Sequence, residues 1–486
     1  MDKLRLDSKT LTLLFLLLLF LWLQCLESNN NNEIVGEEAA YLINLRNNIS
    51  PAPSTWFTVT NMCEWSHVTC SFVLFNNNTR HVEEINLASK SLKGKLPPGL
   101  NNSLVNLRRL DVSYNSLTGP IPSFVGLSSL QELFIEHNFT SIPDFSFQGL
   151  TSLQKLILDN NTNLSPWTFP ANLTASTGLI TLSLYATNLI GSLPDTCHFF
   201  PNLQYLYLDT NNLTGVLPKS FEKLLNLKYL FLNDQSLSGR IEVLSSMTQL
   251  QVAWLERNFF EGPIPDLSNC TMLRYLMLGD NQLTGEVPPS LVNLPKLWQV
   301  SLANNWLQGP MPLFNTSVNE TKLEGNGYCL DHPGPCHHTV ATLLQLAQAF
   351  GYPLLLARSW RGNDPCKGWS FIRCDVQGKI RAVNLTKLNL NGTISPAFAN
   401  LIDLQELYPG GNNLRESIPE NLTTLSQLKI LDVSNNNLSG IVPRFSPNMM
   451  INTTNNAFLV TRSPPPTLLP SPTKRTHHLW IKLGTL

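Results

Sequence analysis

Along most of this chain, leucines stand at the first, fourth and sixth places of a short segment, with asparagine at the ninth. The stretch Leu203-Gln-Tyr-Leu206-Tyr-Leu208-Asp-Thr-Asn211-Asn-Leu213-Thr-Gly215-Val-Leu217-Pro218 is one copy. It reads LxxLxLxxNxLxGxIP and returns, with substitutions, at a period of about 24 residues. Alternation around the second and third leucines is that of a short strand, whose side chains face opposite ways in turn. One such unit cannot bury its own leucines, so copies must stack and share a continuous core. The asparagine (Asn115, Asn161, Asn211, Asn258, Asn281, Asn305) can hydrogen-bond the turning backbone with its amide. Lys90, Thr187 and Gln235 replace it, so the ladder of amides is expected to be incomplete.

This pattern is a leucine-rich repeat, and the expected fold is an α/β leucine-rich-repeat solenoid of the plant type. Its strands begin at Val82, Leu107, Leu130, Leu153, Leu179, Leu203, Leu227, Leu250, Leu273 and Leu297. The Gly-x-Ile-Pro tail of many copies predicts a second short strand. The repeats are lost after Asn326 and resume at Ile380, Leu404 and Leu428. Residues 79–328 therefore form a first block of about ten repeats, and 379–458 a second block of three. In the middle repeat of the second block, Pro409 is expected to leave a weak or bulged strand, and Glu416 stands where glycine belongs.

A solenoid end exposes apolar surface and needs a cap. Residues 33–78 fit one: helical spacing at Leu42, Leu45 and Ile49, then Trp56, Cys63, Trp65 and Cys70. The island 329–378 repeats that order. A helix is expected over Thr339 to Phe350 with Thr339 as its cap, followed by Trp360, Cys366, Trp369 and Cys374. A second cap inside the chain implies two blocks separated by a Cys-containing island. Residues 459–486 are a Pro-rich linker and tail.

Lys3 and Arg5 precede the apolar run Leu11 to Leu23, which reads as a signal peptide over residues 1–28. Asn-x-Ser/Thr sites follow at Asn48, Asn77, Asn101, Asn138, Asn160, Asn172, Asn212, Asn269, Asn315, Asn319, Asn384, Asn391, Asn421, Asn437 and Asn452. Their density behind a leader predicts a glycoprotein of the secretory pathway. In that oxidising compartment Cys63/Cys70, Cys329/Cys336 and Cys366/Cys374 read as local disulfides. A disulfide is preferred over a metal site for Cys329, His332, Cys336, His337 and His338, so no metal or cofactor is expected. Cys197 and Cys270 lie about three repeats apart, roughly 15 Å at the spacing of strands, too far to bridge. Both are expected to be unpaired and buried.

Net charge is −1 and charged residues are only 14%, which excludes a basic nucleic-acid-binding surface. No nucleophile–base pair or paired carboxylates stand out, so an enzyme is not expected. Binding is. The residues beside the strand leucines face the concave surface. One column reads Phe134, Ile157, Ser183, Tyr207, Phe231, Trp254, Met277; its neighbour reads Tyr205, Tyr229, Val252, Tyr275. We take Tyr205, Tyr207, Tyr229, Phe231, Trp254, Tyr275 and Met277 as a partner-binding stripe, with Asp209, Asn233 and Glu256 beside it to fix orientation. Two other readings of these residues are mutual stabilisation of neighbouring rings, and cover by the island.

Phe350-Gly-Tyr-Pro353, Ser359-Trp360-Arg-Gly362-Asn363-Asp364-Pro365-Cys366, Trp369 and Cys374 form an island between a long and a short block. With Gly392-Thr-Ile394-Ser395-Pro396 after it, this resembles the extracellular region of plant TMK-type (transmembrane kinase) receptor-like kinases. The resemblance implies auxin-linked growth signalling at the cell surface. It also implies secreted auxin-binding proteins and other receptor kinases as partners, beside an extracellular protein, peptide or small-molecule ligand. Family members continue into a transmembrane helix and a Ser/Thr kinase. A phosphate-cradling Gly-rich loop, His-Arg-Asp and Asp-Phe-Gly are missing here. The expectation is the sensing half alone, extracellular or at the plasma membrane. The alternative is a freely secreted repeat protein, a decoy co-receptor or an inhibitor of wall-degrading enzymes.

Overall fold

The structure, a computed structural model, describes residues 36–72 and 80–460. The expected signal peptide, the Asn77 site and the Pro-rich tail beyond Val460 lie outside the described residues. Two compact units are present. The first runs to His337 and includes Tyr352–Asn363; the second comprises His338–Gly351 and the chain from Asp364. The island, read from sequence as one segment, is thus divided between the units.

The first unit opens with helix α1, Gly36–Asn48, which buries Tyr41, Leu42 and Leu45. Behind it Trp56 and Trp65 stack with ring centroids 4.9 Å apart, and Cys63 is disulfide-bonded to Cys70. The strand Val68–Phe72 pairs antiparallel with Arg80–Asn86 and opens a twelve-stranded sheet. Every later neighbour pairs in parallel, ending at Glu320–Lys322. After the first, the repeat strands here are three residues long and keep one register, for example Leu206↔Leu230↔Ala253↔Leu276. Their leucines are buried, each worth about 1.5–3 kcal/mol relative to exposure. The predicted second strands form a seven-stranded sheet from Trp167–Thr168 to Trp306–Gln308.

The asparagine ladder is more continuous than expected. Asn281 accepts the N–H of Phe260 at 3.0 Å and donates to the carbonyls of Leu255 and Leu278. Gln235 does most of the same work, accepting from Leu213 and donating to Leu208, because its longer side chain still reaches both; the bond to the carbonyl three residues before it is lost. Thr187 fills half the position: its hydroxyl donates to Leu184 at 2.9 Å. Asn326, Asn412, Asn436 and Asn456 extend the pattern.

Cys329 is bonded to Cys336, which removes the metal alternative there. Helix α2 spans His338–Ala349, so it starts one residue before the expected cap; Thr339 lies inside its first turn. Helix α3, Leu354–Ser359, packs on the second sheet of the first unit, against Gln282–Glu286 and Trp306–Gln308. Thr284 Oγ1 donates to the Tyr352 carbonyl and Gln308 Nε2 to that of Trp360, each at 2.7 Å. The guanidiniums of Arg358 and Arg361 lie over the Trp306 ring at 5.6 and 5.5 Å.

In the second unit, Cys366 is bonded to Cys374, and Ile372–Cys374 pairs antiparallel with Ile380–Asn384. Glu406–Tyr408, Ile430–Asp432 and Met450–Asn452 continue that sheet in parallel. Of the two outcomes expected at Pro409, the strand is weakened and not bulged. The strand ends at Tyr408, so the proline sits just past it. The cost is one rung, since pairing to the next strand stops at Leu407↔Leu431. Glu416 occupies the glycine place at φ +68°. Cys197 and Cys270 are buried and unpaired. Among the described residues, no helix is long and apolar enough to cross a membrane.

Candidate functional site

The concave face of the first unit is built by strands Thr181–Ser183, Tyr205–Tyr207, Tyr229–Phe231, Val252–Trp254 and Tyr275–Met277. Because each central leucine or alanine points into the core, the residues on either side point out. Parallel pairing sets Tyr205 beside Tyr229 and Tyr207 beside Phe231 beside Trp254. Ring centroids are 5.2 Å apart for Tyr205–Tyr229, 4.9 Å for Tyr207–Phe231 and 4.7 Å for Phe231–Trp254, all tilted. Such pairs are worth about 0.5–1.5 kcal/mol beyond the area they bury. The rings therefore do stabilise one another. They are also accessible: Trp254 is 39% exposed, and Tyr205, Tyr207, Tyr229, Phe231 and Tyr275 are half-buried.

One expected member of the stripe does not present itself: Met277 is buried, as is Val252 in the neighbouring column. Register explains Met277, a slim side chain between the indole of Trp254 and its other neighbour, Ser301. Island residues Tyr352 and Trp360 engage the second sheet, on Thr284 and Gln308, rather than the stripe.

The aromatic rank forms one wall of a shallow pocket of about 420 Å³, completed by Tyr185, Asp159 and Asp209. Asp159 accepts both contacts of the Ser183 hydroxyl, at 2.7 and 2.8 Å, and the Tyr185 N–H at 3.0 Å. Burial pushes its carboxyl above the ordinary range despite those donors. Burial likewise moves Asp209 up to about 6, with the charges of Asp159 and Asp234 adding to it. Further along, Glu136 is pushed up to about 7 by burial, then by Asp159. Beside Asp209, Asn233 is buried; its amide donates to Asp234 at 2.7 Å and its Oδ1 has no partner.

Of these, Asp209, Asn233 and Glu256 were legible as orienting groups. Asp159 and Tyr185 were missed, though both follow the third strand apolar residue, the place Asp209 holds in its own repeat. No group of three or more His, Cys, Asp or Glu able to hold a metal occurs among the described residues.

None of the described glycosylation-site asparagines is buried. Their distribution differs between units. In the second, Asn384 and Asn452 end the strands Ile380–Asn384 and Met450–Asn452, both exposed, in the column of Tyr408 and Asp432. The stripe of the first unit carries no such site within its strands.

Family models support the cap and repeat geometry. The leucine rich repeat N-terminal domain matches residues 35–71 and again 338–375. Leucine rich repeat models match 80–139, and 202–224, 272–294 and 427–449. The chain is a leucine-rich-repeat protein, like the ectodomains of plant receptor kinases. It is similar to the receptor-like kinase TMK4 of Arabidopsis thaliana, with 44% identity over 78% of this chain and 40% of that protein. With TMK2 of the same plant, identity is 40% over 79% and 44%. The chain spans about two fifths of the length of these relatives. Among solved structures, the plant peptide hormone receptor RGFR1 in complex with RGF2 aligns with TM-score 0.50 and 25% identity, over 78% of this chain and 58% of that one.

Proposed function

We propose that this chain is the extracellular sensing region of a plant cell-surface receptor-like kinase of the TMK type. A peptide or protein partner docks on the stripe formed by Tyr205, Tyr207, Tyr229, Phe231, Trp254 and Tyr275. One observation carries this reading: a rank of touching rings lies accessible on the concave sheet, while the nearby helix α3 is engaged on the other sheet. Tyr and Trp in such a setting are the usual anchors of an interface. Similarity to TMK4 and TMK2 extends the reading to auxin-linked growth signalling, with secreted auxin-binding proteins among the partners. RGFR1, itself a peptide hormone receptor, supports a peptide as the alternative ligand.

The test is titration of the purified chain with a purified secreted auxin-binding protein. The triple variant Tyr207→Ser, Phe231→Ser, Trp254→Ser is run in parallel. Loss of three anchors should weaken binding at least a hundredfold, at about 1.4 kcal/mol per factor of ten. Undiminished binding with an unchanged melting temperature removes the stripe as the docking face.

A further inference from the structure

The chemistry of the pocket beside the rings points to what it recognises. Asp159 and Asp209 occupy the same place in repeats two apart, so they stand about 10 Å from each other with Tyr185 between. Several other acids on this face are paired with Lys or Arg. Arg109 holds Asp111 and Glu132, Lys155 also reaches Glu132, and Arg257 holds Asp234. No Lys or Arg ion pair reaches Asp159 or Asp209 among the described residues. Asp159 and Asp209 are half-buried, and a carboxylate partly removed from water without a counter-charge is costly. A second and independent observation is the ring surface of Tyr207, Phe231 and Trp254, which lines the same cavity and stays accessible. The pocket thus offers acceptors and π faces and is short of donors and positive charge.

We propose that this pocket receives a cationic side chain of the docked ligand, an arginine guanidinium, stacked on Tyr207, Phe231 or Trp254 and hydrogen-bonded to Asp159 or Asp209. The proposal rests on the stripe being the docking face. Guanidinium supplies five N–H donors, carries no acceptor and stacks through its plane, matching each deficit of the site. Charge complementarity decides the occupant: an anionic group of similar size meets two carboxylates and no basic lining residue, His137 acting on Asp159 from outside the lining.

The probes are acetyl-Gly-Arg-Gly-amide and its citrulline counterpart, which keeps the planar shape and loses the charge. Phenylacetate serves as the anionic control. Binding to the full chain is followed by calorimetry and tryptophan fluorescence. The arginine peptide is expected to bind about tenfold more tightly than the citrulline peptide. Asp159→Asn and Asp209→Asn are expected to erase that difference with little change in citrulline binding. This comparison of two peptides on the unaltered protein requires no variant to fold. Equal binding of both peptides, no detectable binding at millimolar concentration, or tighter binding of phenylacetate overturns the cationic pocket. If equal binding is still lost in Phe231→Ser and Trp254→Ser, the docking face stands while the cation falls. If arginine-selective binding ignores those two substitutions, the docking face itself fails.

Discussion

Gly94 lies against the carbonyl oxygen of Asn48, leaving no room for a side chain between them. Its φ is +117°, and Gly392 faces the carbonyl of Ala349 in the same way at φ +124°. Each glycine lets the end of a cap helix approach the first repeat that follows. Gly94→Ala forces both a disfavoured backbone conformation and a backbone clash. It should cost about 2–4 kcal/mol, seen as a lower melting temperature and faster amide exchange in α1. Gly126→Ala, also at positive φ but with open space around it, should cost less, about 1 kcal/mol.

The ladder predicts a graded series. Asn281→Leu strands the N–H of Phe260 and the carbonyls of Leu255 and Leu278 in a buried spine. A loss of about 1–3 kcal/mol is expected in urea denaturation. Gln235→Leu should cost somewhat less, because the glutamine serves one N–H and one carbonyl, those of Leu213 and Leu208. Thr187→Val should cost less, since a single hydroxyl is lost, with its contacts to the Leu184 carbonyl and Asn211 Oδ1.

Stability should fall as pH rises from 4.5 to 7.5. Asp209 lies near 6 and Glu136 near 7 in the folded chain, above their ordinary values of 3.8 and 4.5. A carboxyl with a raised folded value holds its proton more tightly folded than unfolded. Its contribution is complete below the ordinary value and is lost as pH climbs through the folded one. Asp159 acts in the same direction. Melting curves of the Glu136→Gln, Asp209→Asn double variant should show a flatter dependence over that window.

Glu416 pays a conformational cost that its counterparts avoid. It holds φ +68° where Gly215, Gly239 and Gly440 stand in other repeats. Glu416→Gly should raise stability by about 0.5–1 kcal/mol, with the larger flexibility of the unfolded glycine offsetting part of the gain. Thermal melting of the single variant measures it.

What the sequence made legible follows from how local each signal is. The leucines, the glycine tails and the cysteine pairs report short-range chemistry, and repeats, second strands and disulfides could be read from them. Glu320–Lys322 and Met450–Asn452 were not, because terminal strands lack the leading leucines and borrow their pairing from the neighbour. Thr339 looked like a cap by residue type, yet His338 already has helical hydrogen bonding. The candidate site was readable only by column. Alternation gave Tyr207, Phe231 and Trp254, but the burial of Met277 depends on what packs beside it, the Trp254 indole among its neighbours. Asp159 gained meaning only once its lack of a cation was visible.

The constancy of the ladder and of the three-residue strands has a consequence for how such a chain changes over evolutionary time. Repeats here differ in length, yet those two features hold the same register from one to the next. Insertions and deletions are therefore absorbed by the turns behind the sheet, and the columns of Tyr207 and Asp209 stay aligned. Recognition can be altered one substitution at a time, insulated from changes in length elsewhere in each repeat.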